Sequence, residues 1–214
     1  MREKKQKTNS QRLLLLALFC VVPQLVFAQQ AEDLVDVHKL DSTIVIDLRY
    51  ATADNFLHDT LYSANICLLR ASVAAQLVKV QQLLRKKGYG LKVWDAYRPL
   101  SVQKKMWQKL PDPRYVADPA RGSMHNRGVA VDVTLVDLVG NELEMPTAFD
   151  DFSPRAGSDY PHVTERAKRN RQVLQEAMTA CGFRTITSEW WHFYYPNSGN
   201  YSVLDVPLDV FQKR

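Results

Sequence analysis

Cysteine is scarce: three in 214 residues, Cys20, Cys67 and Cys181, with no Cys-x-x-Cys pair. That excludes the thiolate zinc ribbons and fingers. The glycine-rich dinucleotide fingerprint is also missing, which removes the sequence basis for a Rossmann nucleotide site. No internal repeat or low-complexity segment appears. The apolar run at 13–22 is too short to span a bilayer as a helix. It follows a basic start (Arg2, Lys4, Lys5, Lys7, Arg12) and precedes Val26-Phe27-Ala28, which offers small residues at the positions a signal peptidase reads. Residues 1–28 therefore read as a secretory signal peptide, leaving 29–214 as one domain, exported to the periplasm or secreted, with no stable membrane anchor after cleavage.

An excess of positive charge is absent as well, once the leader is set aside. The leader holds five of the 28 basic residues and one of the 23 acidic ones, so the remainder is 23 against 22. A near-neutral domain gives no reason to expect a nucleic-acid partner. The local basic run Arg166-Ala167-Lys168-Arg169-Asn170-Arg171 reads as a solvated helix face. Cys67 and Cys181 are left either to pair outside the cytoplasm or to stay as buried thiols.

Apolar spacing predicts a helix over 71–87, with Val73, Leu77, Val80 and Leu84 on one face and Gly88 as its C-cap. A second long helix is expected over 164–181 and a short one over 102–110. Strands are expected at 41–49, 91–96, 129–135 and 189–195. On the third, Ala130, Asp132 and Thr134 share one face, with Asp132 toward a cleft and Val129, Val131 and Val133 toward the core. Gly128 lets the chain bend between His125 and that strand. The fold expected is α+β, a single domain with a small antiparallel sheet flanked by helices.

The chemistry concentrates in Ser123-Met124-His125-Asn126-Arg127-Gly128-Val129-Ala130-Val131-Asp132 and in Glu189-Trp190-Trp191-His192. His125, Asp132 and His192 supply three ligands to one zinc ion per chain. A closed structural site normally takes four, so three leave a position for water. Glu189 is the candidate general base, expected at the entrance of the last strand or on a bulge, since a regular strand would turn it away from His192. Arg98 follows a buried strand, where it either stabilises an oxyanion or pairs with Asp95. His38, His58 and His162 read as surface or satisfied histidines, and Trp94, Trp190 and Trp191 as core. Asp150 and Asp151 by themselves fit a turn or helix cap.

Ser-x-His-x-x-Gly-x-Ala-x-Asp followed by Glu-x-x-His resembles the zinc peptidases that include D-Ala-D-Ala carboxypeptidases, phage endolysin peptidases and D-alanyl-D-alanine dipeptidases, whose scaffold the hedgehog domain shares. The chain is most similar to the vancomycin-resistance type of dipeptidase, through Asp47-Leu48-Arg49-Tyr50-Ala51-Thr52, Trp94-Asp95-Ala96-Tyr97-Arg98-Pro99, residues 123–135, Phe149-Asp150 and Glu189-Trp190-Trp191-His192-Phe193. The resemblance implies zinc-dependent cleavage of D-Ala-D-Ala into two D-alanines. It implies catalytic Glu189 and Arg98, and a substrate pocket that includes Ser123, Asp150 and Tyr50. Asp150 becomes a partner for the dipeptide's free ammonium group. Export implies turnover or salvage of wall-derived dipeptide. The alternatives are a D,D-carboxypeptidase or endopeptidase acting on peptidoglycan stems, and a zinc-containing binding module without turnover.

Overall fold

A computed structural model describes residues 34–196 and 200–212; the leader expected over 1–28 lies outside the described residues. Seven strands form two sheets. β1 (Leu34–Asp36) pairs antiparallel with β3 (Leu68–Arg70). The main sheet holds β2 (Val45–Ile46), β4 (Gly90–Asp95), β5 (Ala130–Val136), β7 (His192–Tyr194) and β6 (Arg184–Thr185), in that spatial order. It is antiparallel except where β2 runs parallel to β4. Among the described residues, three long helices, α1 (Ala71–Arg85), α2 (Leu100–Lys109) and α3 (Glu165–Ala180), and one helical turn at Val37–Leu40 complete the α+β architecture.

The expected helices form within a few residues of their predicted ends. α1 buries Val73, Leu77, Val80 and Leu84, and Gly88 follows at φ 84°, the left-handed conformation that favours glycine. α3 starts on Thr164, whose side chain accepts the Ala167 N–H as an N-cap. Both helices contact β4 or β5, whose side chains are almost wholly buried. By strand alternation Val131, Val133 and Leu135 share one face of β5 while Asp132 and Thr134 point to the other. Trp94, Trp190 and Trp191 are core, as expected, and stack edge-on with Trp94–Trp190 and Trp190–Trp191 centroids 5.8 and 5.5 Å apart. Each large apolar side chain so buried contributes roughly 1.5–3 kcal/mol.

Three expectations need correction. The strand expected over 41–49 shrinks to Val45–Ile46, because Asp41 turns its carboxylate onto the N–H and hydroxyl of Thr43, and Leu48 N–H is taken by Asn65. The strand over 189–195 shrinks to His192–Tyr194, because Trp190 N–H donates to Ala156 C=O instead of entering the ladder. The basic run on α3 is not all solvated: Arg171 is buried and donates to the carbonyls of Gly157 and Tyr160, pinning the loop ahead of the helix. Cys67 and Cys181 are both buried free thiols. Among the described residues, no helix is long and apolar enough to cross a membrane.

Candidate active site

Asp132 and His192 lie sixty residues apart in sequence and directly opposite each other in the β5–β7 ladder. Cross-strand partners stand ~4.5–5.5 Å apart at Cβ, so the register alone brings carboxylate and imidazole together. His125 arrives from a 3-10 turn, His125–Arg127, closed by Gly128 at φ 70°. That left-handed conformation favours glycine, and a Cβ there would also lie 2.9 Å from Leu34 Cδ2, which would have to shift. The turn is tied to the segment just after β4 that carries Arg98: Arg98 N–H donates to His125 C=O at 3.1 Å, and His125 Nδ1 donates to Ala96 C=O at 2.8 Å. That second bond fixes the tautomer and leaves His125 Nε2 as the free donor atom.

His125 Nε2, His192 Nδ1 and Asp132 Oδ1 form a triangle with sides of 3.2, 2.9 and 3.4 Å. For metal–ligand bonds near 2.0–2.1 Å, a tetrahedron has edges of about 3.3 Å. The three residues could therefore hold one metal ion with little rearrangement, and their two nitrogens and one oxygen are the donor set that zinc takes. Burial pushes the Asp132 carboxyl up, but the His125 and His192 imidazoles outweigh it and hold it well below the usual carboxylate range. An ionised carboxylate this deeply buried needs a cation or equivalent donors beside it.

Glu189 lies three residues ahead of His192, before β7 begins, in the position that frees it from strand alternation. It lines the same cleft of about 380 Å³ as His125, Asp132, His192, Arg98 and Ser123. Burial pushes its carboxyl up, against the pull of His192. Ser123 is half-buried, its hydroxyl accepting from Asn126 N–H at 3.2 Å.

Arg98 does pair with Asp95, as one reading of the sequence had it. Its Nε and one terminal nitrogen reach a single Asp95 oxygen at 3.2 and 2.5 Å. The pairing leaves it in the cleft, stacked 5.1 Å from the Tyr50 ring centroid. Burial disfavours the Arg98 charge, but Asp95 outweighs it and keeps the guanidinium protonated. A β-bulge between Val93 and Asp95 sets this up by placing Asp95 opposite Asp132. Tyr50 donates its hydroxyl to Asp150 at 3.0 Å. Burial first, then the charge of Asp132, pushes the Asp150 carboxyl up to about 8. Asp150 also adopts φ 56°, rare for a residue with a side chain, which turns it into the cleft rather than onto a helix end.

Sequence reasoning missed the supports. Gln103 is fully buried on α2, accepts from Arg98 at 2.9 Å and donates to Ala117 C=O at 2.8 Å, so it ties the guanidinium to the loop over the cleft. Asn126, also fully buried, donates to Arg98 C=O and accepts from Ser123 N–H, both at 2.8 Å. A polar residue on the same buried side of α2 as Val102 and Met106 was the available signal for Gln103.

The family model described as D-ala-D-ala dipeptidase, of the M15 peptidases, matches residues 30–213. A D-alanyl-D-alanine dipeptidase of Escherichia coli K12 is 41% identical over 179 residues, covering 84% of this chain and 93% of that protein. One from Streptomyces coelicolor is 32% identical over 75% of this chain and 90% of its own length. One from Enterococcus faecium is 30% identical over 71% and 88%.

Proposed function

The chain belongs to the D-Ala-D-Ala dipeptidase family, and from that premise we propose that it hydrolyses D-Ala-D-Ala to two D-alanines with one zinc held by His125, Asp132 and His192. The observation that supports this most directly is the donor triangle beside a carboxylate, Glu189, that shares its cleft. Zinc bound there supplies Lewis-acid polarisation of a carbonyl and lowers the pKa of water toward about 7. The remaining work falls to the chain. Glu189 accepts a proton from the attacking water as the C–O bond forms, then delivers it to the leaving nitrogen as the C–N bond breaks. Arg98, fixed by Asp95 and Gln103, presents a permanent positive charge to the oxyanion that develops. Ser123 lines the cleft and helps seat the dipeptide.

Asp150, held by Tyr50, takes the substrate's ammonium group. Burial is the main reason its carboxyl is raised, and an ammonium brought beside it offsets that cost. A dipeptide carries this ammonium; a peptidoglycan stem presents an acylated nitrogen there. We further propose that the leader directs export, which places the enzyme in turnover or salvage of wall-derived dipeptide.

The test compares D-Ala-D-Ala with its N-acetyl derivative on zinc-loaded protein. Free dipeptide is expected to be cleaved at least ~100-fold more efficiently in kcat/KM, the range a buried charge pair spans. Asp150→Asn is expected to remove most of that preference. Equal cleavage of the two substrates by the unaltered enzyme would identify a carboxypeptidase or endopeptidase instead.

A further inference from the structure

Glu189 stands off the sheet because the backbone on either side of it bonds elsewhere. Trp190 N–H donates to Ala156 C=O at 2.8 Å, and Thr187 C=O accepts Ser158 N–H at 3.1 Å. Both partners belong to the 3-10 turn at Pro154–Ala156 and the residues just after it. Only at Trp191, whose C=O accepts Val133 N–H at 3.0 Å, does the segment meet β5. Glu189 lines the catalytic cleft and also a neighbouring cavity of about 360 Å³, which it shares with Pro154, Gly157, Thr187 and Ser188. A side chain bordered by two cavities lacks the close packing that fixes a core residue. Its place therefore depends on the backbone that carries it.

That backbone leans on the turn, and the turn leans on α3. Arg171 Nη1 donates to Gly157 C=O at 3.2 Å and to Tyr160 C=O at 3.0 Å. Four residues on, along the same helix face, Gln175 Nε2 donates to Ser158 C=O at 2.8 Å. Ser158 is the joint: its C=O is held by α3, and its N–H holds Thr187. The helix itself is anchored in the core by Leu174, Ala177 and Met178. Arg171 is 6% exposed. Burying a guanidinium is costly unless it is hydrogen-bonded, and here the bonds go to the loop that docks the Glu189 segment. Neither side chain takes part in the hydrolysis as described above.

We propose that Arg171 and Gln175 are positioning residues for the general base: through residues 156–158 they fix the backbone on both sides of Glu189, and with it the reach of its carboxylate toward the donor triangle. The inference rests on the proposed role of Glu189 in proton transfer. Displacing a reacting group by ~1 Å can cost ~10²-fold in rate. Asp150 lies upstream of the turn and is held separately by Tyr50, so recognition of the ammonium group and placement of the base can be told apart.

Arg171→Met keeps an apolar stem and removes the donor. It is expected to retain one zinc per chain, since no ligand atom lies on the 187–190 segment. It is expected to lower kcat for D-Ala-D-Ala by ~10–10²-fold and to leave KM within ~threefold. Amide hydrogen exchange, which needs no turnover, is expected to quicken at least ~tenfold at Trp190 and Ser158. Arg171→Lys, whose ammonium can still serve both carbonyls, is expected to bring both readouts back to within ~threefold of the unaltered protein. Gln175→Leu leaves the guanidinium in place and should shift kcat and exchange the same way by a smaller factor, which keeps the test open if Arg171→Met is too unstable to purify. Val80→Ala, a core change on α1, is expected to lower the melting temperature and leave kcat and Trp190 exchange unchanged. The proposal is overturned by a kcat for Arg171→Met within ~twofold of the unaltered enzyme, by a kcat loss with Trp190 exchange unchanged, or by an equal kcat loss in Val80→Ala. A raised KM with lost preference over the N-acetyl dipeptide would place the effect at Asp150 and overturn it too. Absent hydrolysis by the unaltered protein is instead the failure of the dipeptidase reading, and exchange alone then decides whether Arg171 holds the Glu189 segment.

Discussion

Glu189→Gln is expected to keep its metal and lose turnover by ~10²–10⁴-fold, the range over which a positioned general base acts. Glutamine preserves the shape and one carbonyl oxygen, but it cannot accept a proton at neutral pH. None of the three donor atoms of the triangle belongs to residue 189, so metal affinity has no first-order dependence on it. The effect should fall on kcat more than on KM, because proton transfer belongs to the transition state. Parallel metal analysis and steady-state kinetics check this. A variant that loses metal together with activity would make Glu189 a ligand rather than a base. A variant within tenfold of the unaltered enzyme would assign the proton transfer elsewhere.

Arg98→Ala is expected to fail twice. In catalysis it removes a fixed donor to the oxyanion, at a cost of about 3–4 kcal/mol, or ~10²–10³-fold in kcat. In stability it leaves Asp95, which is 0% exposed, as a buried carboxylate without its cation. Breaking one side of a buried pair typically costs about 3–5 kcal/mol. Tyr62 and Ala96 N–H still donate to Asp95, which places the loss toward the lower end. The two effects separate in the double variant Arg98→Ala/Asp95→Asn: removing the stranded charge should recover part of the melting temperature and none of the activity. Recovery of activity with stability would reduce Arg98 to a structural ion pair. Arg98→Lys should fall between, since lysine keeps the charge but cannot reach Asp95 and Gln103 with one planar fork.

The donor triangle was legible in sequence because Asp132 sits on the most regular strand and a glycine marks the turn before it. Valines alternating along 129–135 announce β5 and put Asp132 on the face opposite the core. Glycine at 128 announces the bend that presents His125. The displacement of Glu189 from a regular strand was also legible, since no uninterrupted strand could turn both Glu189 and His192 toward one point. What sequence could not supply was register. The facing of Asp132 and His192 depends on β5 pairing with β7, and the facing of Asp95 and Asp132 depends on a bulge that leaves no local mark.

The supports were less legible for a different reason. Gln103 and Asn126 each donate to a backbone carbonyl distant in the chain, and neither residue type announces such a partner. Arg171 looked solvated because its neighbours on the basic run are; only the loop folded over α3 gives it carbonyls to bind. The parallel β2 was hidden because the segment 41–49 spends its ends on turn hydrogen bonds and leaves only two residues for the sheet.

The most direct test of the metal centre is zinc stoichiometry in the purified protein and in His192→Ala, read by elemental analysis after dialysis against metal-free buffer. One zinc per chain is expected in the first and less than a tenth of that in the second, with dipeptide hydrolysis lost in step. Full zinc occupancy in His192→Ala, or none in the unaltered protein after reconstitution, would contradict a centre built on His125, Asp132 and His192.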